Sequence, residues 1–208
     1  MEEVLDLYEE PYDPGRPLVC FDETNKQLVA EKRVSLPAIP GRPERYDYEY
    51  QRGGTRNLFM FFEAKRGWRH LEVTERRTMQ DFAHQMRWLV DKAYPEAAVV
   101  RVVLDNLNTH RIASLYQTFQ PAEARRIARR LEFHYTPKHG SWLNMAEIEL
   151  GVFSRVCLDR RIGDEATLKA EIQALERERN QVCATVDWQF SSQNARCKLS
   201  HLYPSISN

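Results

Sequence analysis

The sequence predicts an α/β protein with a mixed five-stranded sheet flanked by helices. Strand-like segments rich in apolar and aromatic residues come early in the chain, at 17–23, 56–64 and 68–75. Two more, at 97–106 and 132–137, alternate with segments whose apolar residues recur every three or four positions. Early strands followed by alternating helices and strands are typical of a mixed sheet with helices packed on it.

The first half of the chain supplies three of the strands. Residues 1–16, the N-terminal linker or tail, are acidic and then rich in Pro and Gly, which indicates a short helix or a tail that leads into a linker. A strand follows the turn residues at 17–23. Residues 34–55 contain three prolines and three glycines, which indicates a long loop or an irregular hairpin. The segments 56–64 and 68–75 flank a Lys-Arg-Gly turn and are predicted to pair as an antiparallel hairpin.

The second half alternates helices with the remaining strands. Thr78 is a suitable N-cap for a helix over 78–93, where apolar residues recur at helical spacing. The Val-rich run at 97–106 suits a strand that is buried on both faces. Further helices are predicted in 121–131, 143–157, 164–184 and 191–203, and the last strand in 132–137.

Composition favours one domain in a reducing compartment. With 208 residues, 42% of them hydrophobic, the chain can build one substantial core. Lys plus Arg and Asp plus Glu number 30 each, so binding to nucleic acid or anionic lipid needs a local patch. The four cysteines are far apart and are interpreted as reduced thiols. Without a signal peptide or an apolar run of membrane-spanning length, we expect a cytoplasmic protein with no membrane partner.

Two aspartates stand at the ends of predicted strands. Asp22 closes the first strand and Asp105 closes the Val-rich one. Ligands gather outside the carboxyl ends of strands in open α/β sheets, so these carboxylates would face one cleft if their strands are neighbours. For each aspartate taken alone, the alternative is an ordinary turn or cap residue.

A third carboxylate comes from the helix predicted over 143–157. At about 100° per residue, its apolar residues form two stripes, so we expect the helix to be largely buried. One stripe consists of Leu143, Ala146, Leu150, Phe153 and Cys157, and the other of Met145, Ile148, Val152 and Val156. Small or polar residues form a narrow strip between them, namely Asn144, Glu147, Gly151 and Ser154. Glu149 falls on the opposite edge. A carboxylate on so apolar a helix is costly unless it is paired or metal-bound, which favours Glu147 as a ligand over a solvated residue.

The chemistry of these three residues favours a hard divalent cation. Carboxylates without a cysteine or histidine pattern suit Mg²⁺ or Mn²⁺ better than zinc. Two such ions about 3.5–4 Å apart activate a water or hydroxyl and stabilise the leaving oxygen in phosphodiester chemistry. Asp22, Asp105 and Glu147 are therefore the predicted catalytic and metal-binding residues.

Three motifs together resemble a known family. "FDET" around Asp22, "VLDNLNTH" around Asp105 and "PKHGSWLNMAEIE" around Glu147 look like the catalytic domain of bacterial insertion-sequence transposases in the mariner-like group. The resemblance covers residues 17–204. It implies a ribonuclease-H-like, integrase-type catalytic domain with an acidic DDE triad, in which these three residues hold the metal.

The resemblance also implies an activity and its partners. Such an enzyme cuts double-stranded DNA at the ends of its element and joins the freed 3′-hydroxyl to target DNA, with two Mg²⁺ or Mn²⁺ ions. It implies a homodimer on DNA and a short TA-type target. The interval from Asp105 to Glu147 is longer than in the best-known members, which predicts an extra or longer helix there.

Members of this group normally carry helix-turn-helix DNA-binding modules before the catalytic domain. Residues 1–16 leave no room for them, so we expect this N-terminal domain to be absent. The interpretations are a fragment, a remnant, or the second product of a split reading frame that works with a separate DNA-binding module.

Further DNA contacts are predicted around the triad and on one helix. His110 is expected at the cleft, where it contacts phosphate or orients a ligand, and Asn106 holds Asp105 in place or touches DNA. Lys138 and His139 are candidates for the same contacts, with exposed loop residues as the alternative. One basic helix face is either solvated or a phosphate-binding patch, and consists of Arg125, Arg126, Arg129 and Arg130.

Three functions are compatible with the sequence. A metal-dependent DNA transposase is the first. A ribonuclease-H-like nuclease or resolvase, with water as its only nucleophile, is the second, because one fold hosts both chemistries. The third is a catalytically silent remnant that acts as a binding or dimerisation module. A rise in melting temperature with Mn²⁺ would count against the third.

Overall fold

The strands form one mixed sheet. Residues 1–33, 36–43, 45 and 48–203 are described by the structure, a computed structural model. Within them, the strands of the five-stranded sheet are β1 (Leu18–Glu31), β2 (Tyr50–Glu63), β3 (Trp68–Thr74), β4 (Val100–Leu104) and β5 (Leu131–Tyr135). Their order is β3-β2-β1-β4-β5, antiparallel from β3 to β1 and parallel from β1 to β5. The predicted α/β class and mixed five-stranded sheet are confirmed.

Helices cover both faces of this sheet. They are α1 (Glu2–Glu9), α2 (Met79–Trp88), α3 (Ile112–Thr118), α4 (Pro121–Ala128), α5 (Met145–Phe153), α6 (Glu165–Gln181) and α7 (Ser192–Lys198). Helices α1, α5, α6 and α7 contribute to the core on one face, and α2, α3 and α4 to the core on the other. Two helices, α3 and α4, lie in the interval between Asp105 and Glu147, for which an extra or longer helix was predicted.

Strand β1 is longer than the strand predicted at 17–23. It pairs antiparallel with β2 from Cys20 opposite Phe62 to Glu31 opposite Tyr50, so part of the predicted loop at 34–55 belongs to β2. The outer half of this hairpin is mostly exposed. Its polar residues show no apolar alternation because no core lies against them, which is why the sequence pattern missed it. Residues 34, 35, 44, 46 and 47 of the predicted loop lie outside the described part of the chain.

Residues 1–16 begin with helix α1, which agrees with the short helix among the interpretations of this segment and not with a linker or tail throughout. Val4, Leu5, Leu7 and Tyr8 are buried in the core that α5 shares. The Tyr8 hydroxyl donates a hydrogen bond to the carbonyl oxygen of Leu143 over 2.6 Å. Helix α1 is therefore packed into the domain, and its acidic residues lie on the outer side. The predicted domain end at residue 204 lies outside the described residues.

Helix α5 is buried on one face only. Leu143, Ala146 and Phe153 of the first predicted stripe are fully buried, whereas Ile148 and Val156 of the second are 40% and 64% exposed. Met145 of the second stripe is also buried, so the expectation of a largely buried helix is wrong only for the part of that stripe that contains Ile148 and Val156. Apolar content alone does not bury the side of a helix that points away from the sheet.

Two further sequence expectations concern cysteines and membranes. The four cysteines are free thiols, and Cys20 and Cys157 are buried. Among the helices of the described residues, none combines the length and apolar character needed to span a bilayer.

Candidate active site

The register of the parallel strands brings Asp22 and Asp105 together. Cys20 lies opposite Val103, and both pack into the core on the α5 side of the sheet. Side chains alternate along a strand, so two residues further on Asp22 and Asp105 return to the same side. Each aspartate therefore lies two residues beyond the last parallel pair of β1 with β4. Asp105 directly follows β4, as predicted, but the prediction that Asp22 closes the first strand is wrong, because β1 continues to Glu31.

A single side chain fixes the start of α5 over β1. Asn144 is the N-cap of α5, and its Oδ1 accepts the backbone N–H of Ala146 over 3.1 Å. Its Nδ2 donates to the carbonyl oxygen of Phe21 over 2.8 Å. Because Phe21 precedes Asp22, this contact places Glu147, in the first turn of α5, near Asp22 within β1.

A cleft of about 590 Å³ opens along α5 and β1. Its walls include Asp22 from the strand and three members of the predicted polar strip: Glu147, Gly151 and Ser154. The fourth member, Asn144, is buried in its two hydrogen bonds. Three of the four residues of the small and polar strip therefore line the cleft.

The three predicted ligands retain carboxylate oxygens without protein hydrogen bonds. Asp22 Oδ1 accepts the backbone N–H of Glu23 over 2.8 Å, and Asp105 Oδ1 contacts His110. Within the described residues, their second oxygens and the exposed carboxylate of Glu147 have no hydrogen-bond partner. Burial raises the pKa of Asp22 to about 7, and the negative charges of Glu147, Asp105 and Glu23 add to the shift. This is an anionic pocket that a cation would stabilise.

The oxygen ligands are of the type that Mg²⁺ and Mn²⁺ prefer, but the side chains do not already surround one metal position. Carboxylate oxygens are the ligands these ions prefer. Among the described residues, no three His, Cys, Asp or Glu side chains lie close enough to hold one ion as they stand. Asp22 and Glu147 line the cleft, whereas Asp105 is not part of its lining. The carboxylates would have to draw closer around an ion.

His110 is buried behind Asp105. It is 1% exposed, with Nδ1 in contact with Asp105 Oδ1 and Nε2 at 2.6 Å from Glu23 Oε2. Burial lowers the pKa of His110, but its bonds to Asp105 and Glu23 outweigh this and raise it to about 9. Of the two predicted roles, phosphate contact does not fit a buried ring, whereas orienting a ligand does. Glu23 was not predicted, although it follows Asp22 directly in the "FDET" motif.

The predicted basic face of α4 is not a uniform cationic patch. Arg126 is paired with Asp91 and Glu123, and the guanidinium of Arg130 donates to backbone carbonyls that include that of Tyr94. These two arginines serve the fold, because satisfied guanidinium donors are not available to phosphate. Arg125, Arg126 and Arg129 are exposed, but the guanidinium of Arg126 is taken up by its two carboxylates, which leaves Arg125 and Arg129 as the candidates for phosphate contact.

The remaining predicted DNA contacts lie on exposed loops. Asn106 directly follows Asp105, and Lys138 and His139 form the turn before α5. His139 has a positive φ of 62°, a conformation that is uncommon for a residue with a side chain. All three stay candidates for contact with a bound phosphate chain.

Glu149 has a structural role, in contrast to Glu147. Its carboxylate is fully buried and bound by Arg179, with Nε at 2.6 Å and Nη2 at 2.8 Å. Arg69 Nε, also buried, lies 2.9 Å from Glu149 Oε1, although not in hydrogen-bond geometry. The free-energy cost of burying a carboxylate therefore applies to Glu149, and its pairing with arginine offsets that cost. It does not apply to Glu147, which is exposed and faces the cleft.

A mixed five-stranded sheet in the order β3-β2-β1-β4-β5 with helices on both faces defines the ribonuclease-H-like class of fold. Residues 17–169 match the family described as DDE superfamily endonuclease. The chain belongs to this family. No curated protein matches the sequence.

Solved structures of Mos1 share the fold. The mariner paired-end complex with Mn matches with a TM-score of 0.56 and 17% identity, over 88% of this chain and 55% of that one. The pre-cleavage transpososome matches at 0.55 and 16%, over 90% and 61%, and the strand transfer complex at 0.52 and 16%, over 90% and 60%. The similarity confirms the predicted ribonuclease-H-like fold. The chain spans less than two thirds of the length of those proteins.

Proposed function

We propose that the protein is the catalytic domain of a mariner-like DDE transposase, which cuts DNA at the ends of its element and transfers the freed 3′-hydroxyl to target DNA. The observation that supports the proposal is that Asp22 and Glu147 line one cleft, while Asp105, directly after the adjacent strand β4, is close enough for its charge to raise the pKa of Asp22. The DDE endonuclease family supports phosphodiester cleavage. The fold shared with Mos1 complexes named for paired ends and strand transfer supports transposition.

The three carboxylates are the proposed metal ligands and catalytic residues. Two Mg²⁺ or Mn²⁺ ions, when bound, activate the attacking oxygen and stabilise the leaving one. Asp22 and Asp105 would hold them from the sheet and Glu147 from the helix. Because the pKa of Asp22 is raised to about 7, cation binding near neutral pH would release a proton from this carboxyl.

The proposed partner is double-stranded DNA, as element ends and as target. Asn106, Lys138, His139, Arg125 and Arg129 are the exposed candidates for phosphate contact. We also propose a homodimer on DNA and a separate N-terminal DNA-binding module, both supported by the resemblance to mariner-like transposases. The proposed location is the cytoplasm, with the nucleoid as the place of DNA binding.

The test is cleavage of a supercoiled plasmid that carries the DNA flanking the gene on both sides, with Mg²⁺ or Mn²⁺. Asp22→Asn, Asp105→Asn and Glu147→Gln should each abolish nicking. Glu96→Gln is the matched control, because Glu96 is exposed on the loop before β4, at the other end of that strand from Asp105. It should cleave like the wild type.

The products and the metal response separate the alternatives. Joined products that contain the 3′-hydroxyl donor support strand transfer, whereas nicks alone support a nuclease or resolvase. A wild-type chain that neither cleaves nor gains melting temperature with Mn²⁺ supports a binding or dimerisation module. Cleavage retained in all three acid variants would show that the assignment of these residues is wrong.

A further inference from the structure

His110 lies in a loop, but contacts fix both its ring and its backbone. Its ring packs against Phe21 and Phe82, with ring centroids 5.2 and 4.9 Å away. Its backbone N–H donates to Leu107, and its carbonyl accepts the Tyr135 hydroxyl over 2.8 Å. The imidazole is therefore a rigid support at the end of β4.

Asp105, in contrast, has few contacts that fix its side chain. It lies one residue beyond the end of β4, where the ladder hydrogen bonds stop, and its side chain is 33% exposed. Besides His110 Nδ1, only the N–H of Leu107 reaches its Oδ1 within the described residues, over a long 3.4 Å. His110 therefore determines which way this carboxylate points.

We propose that His110 is a positioning residue, which holds Oδ1 of Asp105 through Nδ1 so that Oδ2 is presented to the metal, while Glu23 fixes the imidazole from the other side. The inference deepens the proposed function and rests on it. Groups that orient a metal ligand in this way typically change metal affinity about 10- to 100-fold when they are removed.

Glu23 contacts the imidazole of His110 at the ring nitrogen that does not face Asp105. Its side chain is 5% exposed, and its Oε2 has only the ion-pair contact with His110 in the described structure. Its Oε1 lies 3.7 Å from Arg77, whose side chain is half exposed. A buried carboxylate with so few partners is costly, so Glu23 and His110 stabilise each other.

A second histidine provides a matched comparison. His134 also bridges two carboxylates, those of Glu3 at 2.6 Å and Glu132 at 2.9 Å. It is largely buried on β5, and neither carboxylate belongs to the cleft. Substituting His134 therefore removes a similar bridge without touching Asp105.

The experiment uses two substitutions that each keep one of the two contacts. His110→Asn retains an amide nitrogen close to the position of Nδ1, which faces Asp105. His110→Gln places its amide nitrogen close to the position of Nε2, which faces Glu23. Mn²⁺ binding to the full chain is measured by isothermal titration calorimetry, with melting temperature without metal and plasmid cleavage as further readouts. His134→Asn and His134→Gln are the controls.

The expected result is a difference between the two His110 variants. His110→Gln binds Mn²⁺ about 10- to 100-fold more weakly than the wild type, whereas His110→Asn stays within a few-fold of it. Both His110 variants and both controls lose melting temperature to a similar extent, and the controls keep wild-type Mn²⁺ affinity. Cleavage follows Mn²⁺ affinity and is recovered in His110→Gln at high Mn²⁺.

Two results would overturn the inference. If both His110 variants bind Mn²⁺ like the wild type, or if both lose affinity equally and in step with stability, His110 serves only the fold. The proposed function then stands as long as Asp105→Asn still abolishes Mn²⁺ binding. If the wild type itself binds no Mn²⁺, both the inference and the proposed metal chemistry fail.

Discussion

Asn144 donates a hydrogen bond from Nδ2 to the carbonyl oxygen of Phe21 over 2.8 Å. The acceptor belongs to the residue before Asp22, and the donor lies three residues before Glu147. One buried amide therefore ties the strand that carries one candidate ligand to the helix that carries another, and its Oδ1 caps that helix as well.

Asn144→Asp separates these two functions of the side chain. The carboxylate keeps a cap acceptor but points an oxygen at the Phe21 carbonyl, so a buried donor is replaced by a buried charge. We expect a loss of about 2–3 kcal/mol in the free energy of unfolding, measured with urea, and loss of plasmid cleavage. Asp164→Ala, which removes only the cap of α6, should cost about 1 kcal/mol and keep cleavage. Equal effects of both would mean that Asn144 acts only as a cap.

Glu147 and Glu149 should respond in opposite ways to substitution. Glu149→Ala leaves the buried guanidinium of Arg69 without its carboxylate, so we expect the protein to lose about 3–5 kcal/mol of stability. Glu147→Gln alters an exposed residue and should cost no more than about 0.5 kcal/mol. Urea unfolding and plasmid cleavage together check this, because only Glu147→Gln is expected to lose cleavage at full stability. The assignment is wrong if Glu147→Gln keeps its cleavage.

Gly151 tests whether the cleft needs its width. A Cβ at this position would meet only Arg155 Nη1, at 3.6 Å, so the fold does not require glycine there. Gly151→Ala should stabilise α5 by about 0.5–1 kcal/mol, because alanine loses less backbone entropy in a helix. The methyl group also enters the cleft, so DNA cleavage should weaken through KM rather than through metal affinity. An unchanged KM in Gly151→Ala, and in the bulkier Gly151→Leu, would place the DNA path elsewhere.

The elements predicted best from the sequence are those in which burial alone determines the type of residue at each position. Strand β4 is buried at every position, and its Val run was recognisable for that reason. The polar strip on α5 was recognisable because Glu147 and Gly151 interrupt an apolar pattern at helical spacing. The position of Asp105 directly after a strand was predicted correctly, whereas Asp22 lies within β1 and not at its end. That the two strands are neighbours depends on the sheet order, which the sequence did not reveal.

The features that the sequence did not predict depend on partners far away in the chain. The acidic segment that forms α1 gave no sign that Tyr8 would bond to Leu143, 135 residues later. Arg126 and Arg130 form a basic stripe in sequence, and only the fold shows that Asp91 and backbone carbonyls take up their charge. Single-sequence patterns encode which residues share a face, but not what covers that face.

His70 is the centre of a pH-sensitive contact between β3 and α6. Its Nδ1 lies 3.2 Å from Glu176 and its Nε2 3.5 Å from Glu72, and its ring stacks on Trp88 at 4.2 Å. Burial lowers the pKa of His70, but the hydrogen bonds and charges of Glu176 and Glu72 outweigh it and raise the pKa to about 9. The ordinary value in an unfolded chain is about 6.5.

Glu176 and Glu72 stabilise the protonated form of His70, so the contact contributes to stability only at pH values at which His70 of the folded protein carries its proton. Its contribution is therefore fully present below about pH 6.5 and disappears as the pH rises through about 9. His70→Gln should lower the free energy of unfolding by roughly 1–3 kcal/mol at pH 6, and the difference from wild type should shrink towards pH 9.5. Urea unfolding of both proteins from pH 6 to 9.5 measures this difference. His110 and Asp22 are present in both proteins, so their titration does not contribute to the difference. Glu176→Gln should show the same convergence, since it removes the carboxylate that holds the proton. Parallel curves for His70→Gln and wild type across this range would mean that the charge on His70 does not contribute to stability.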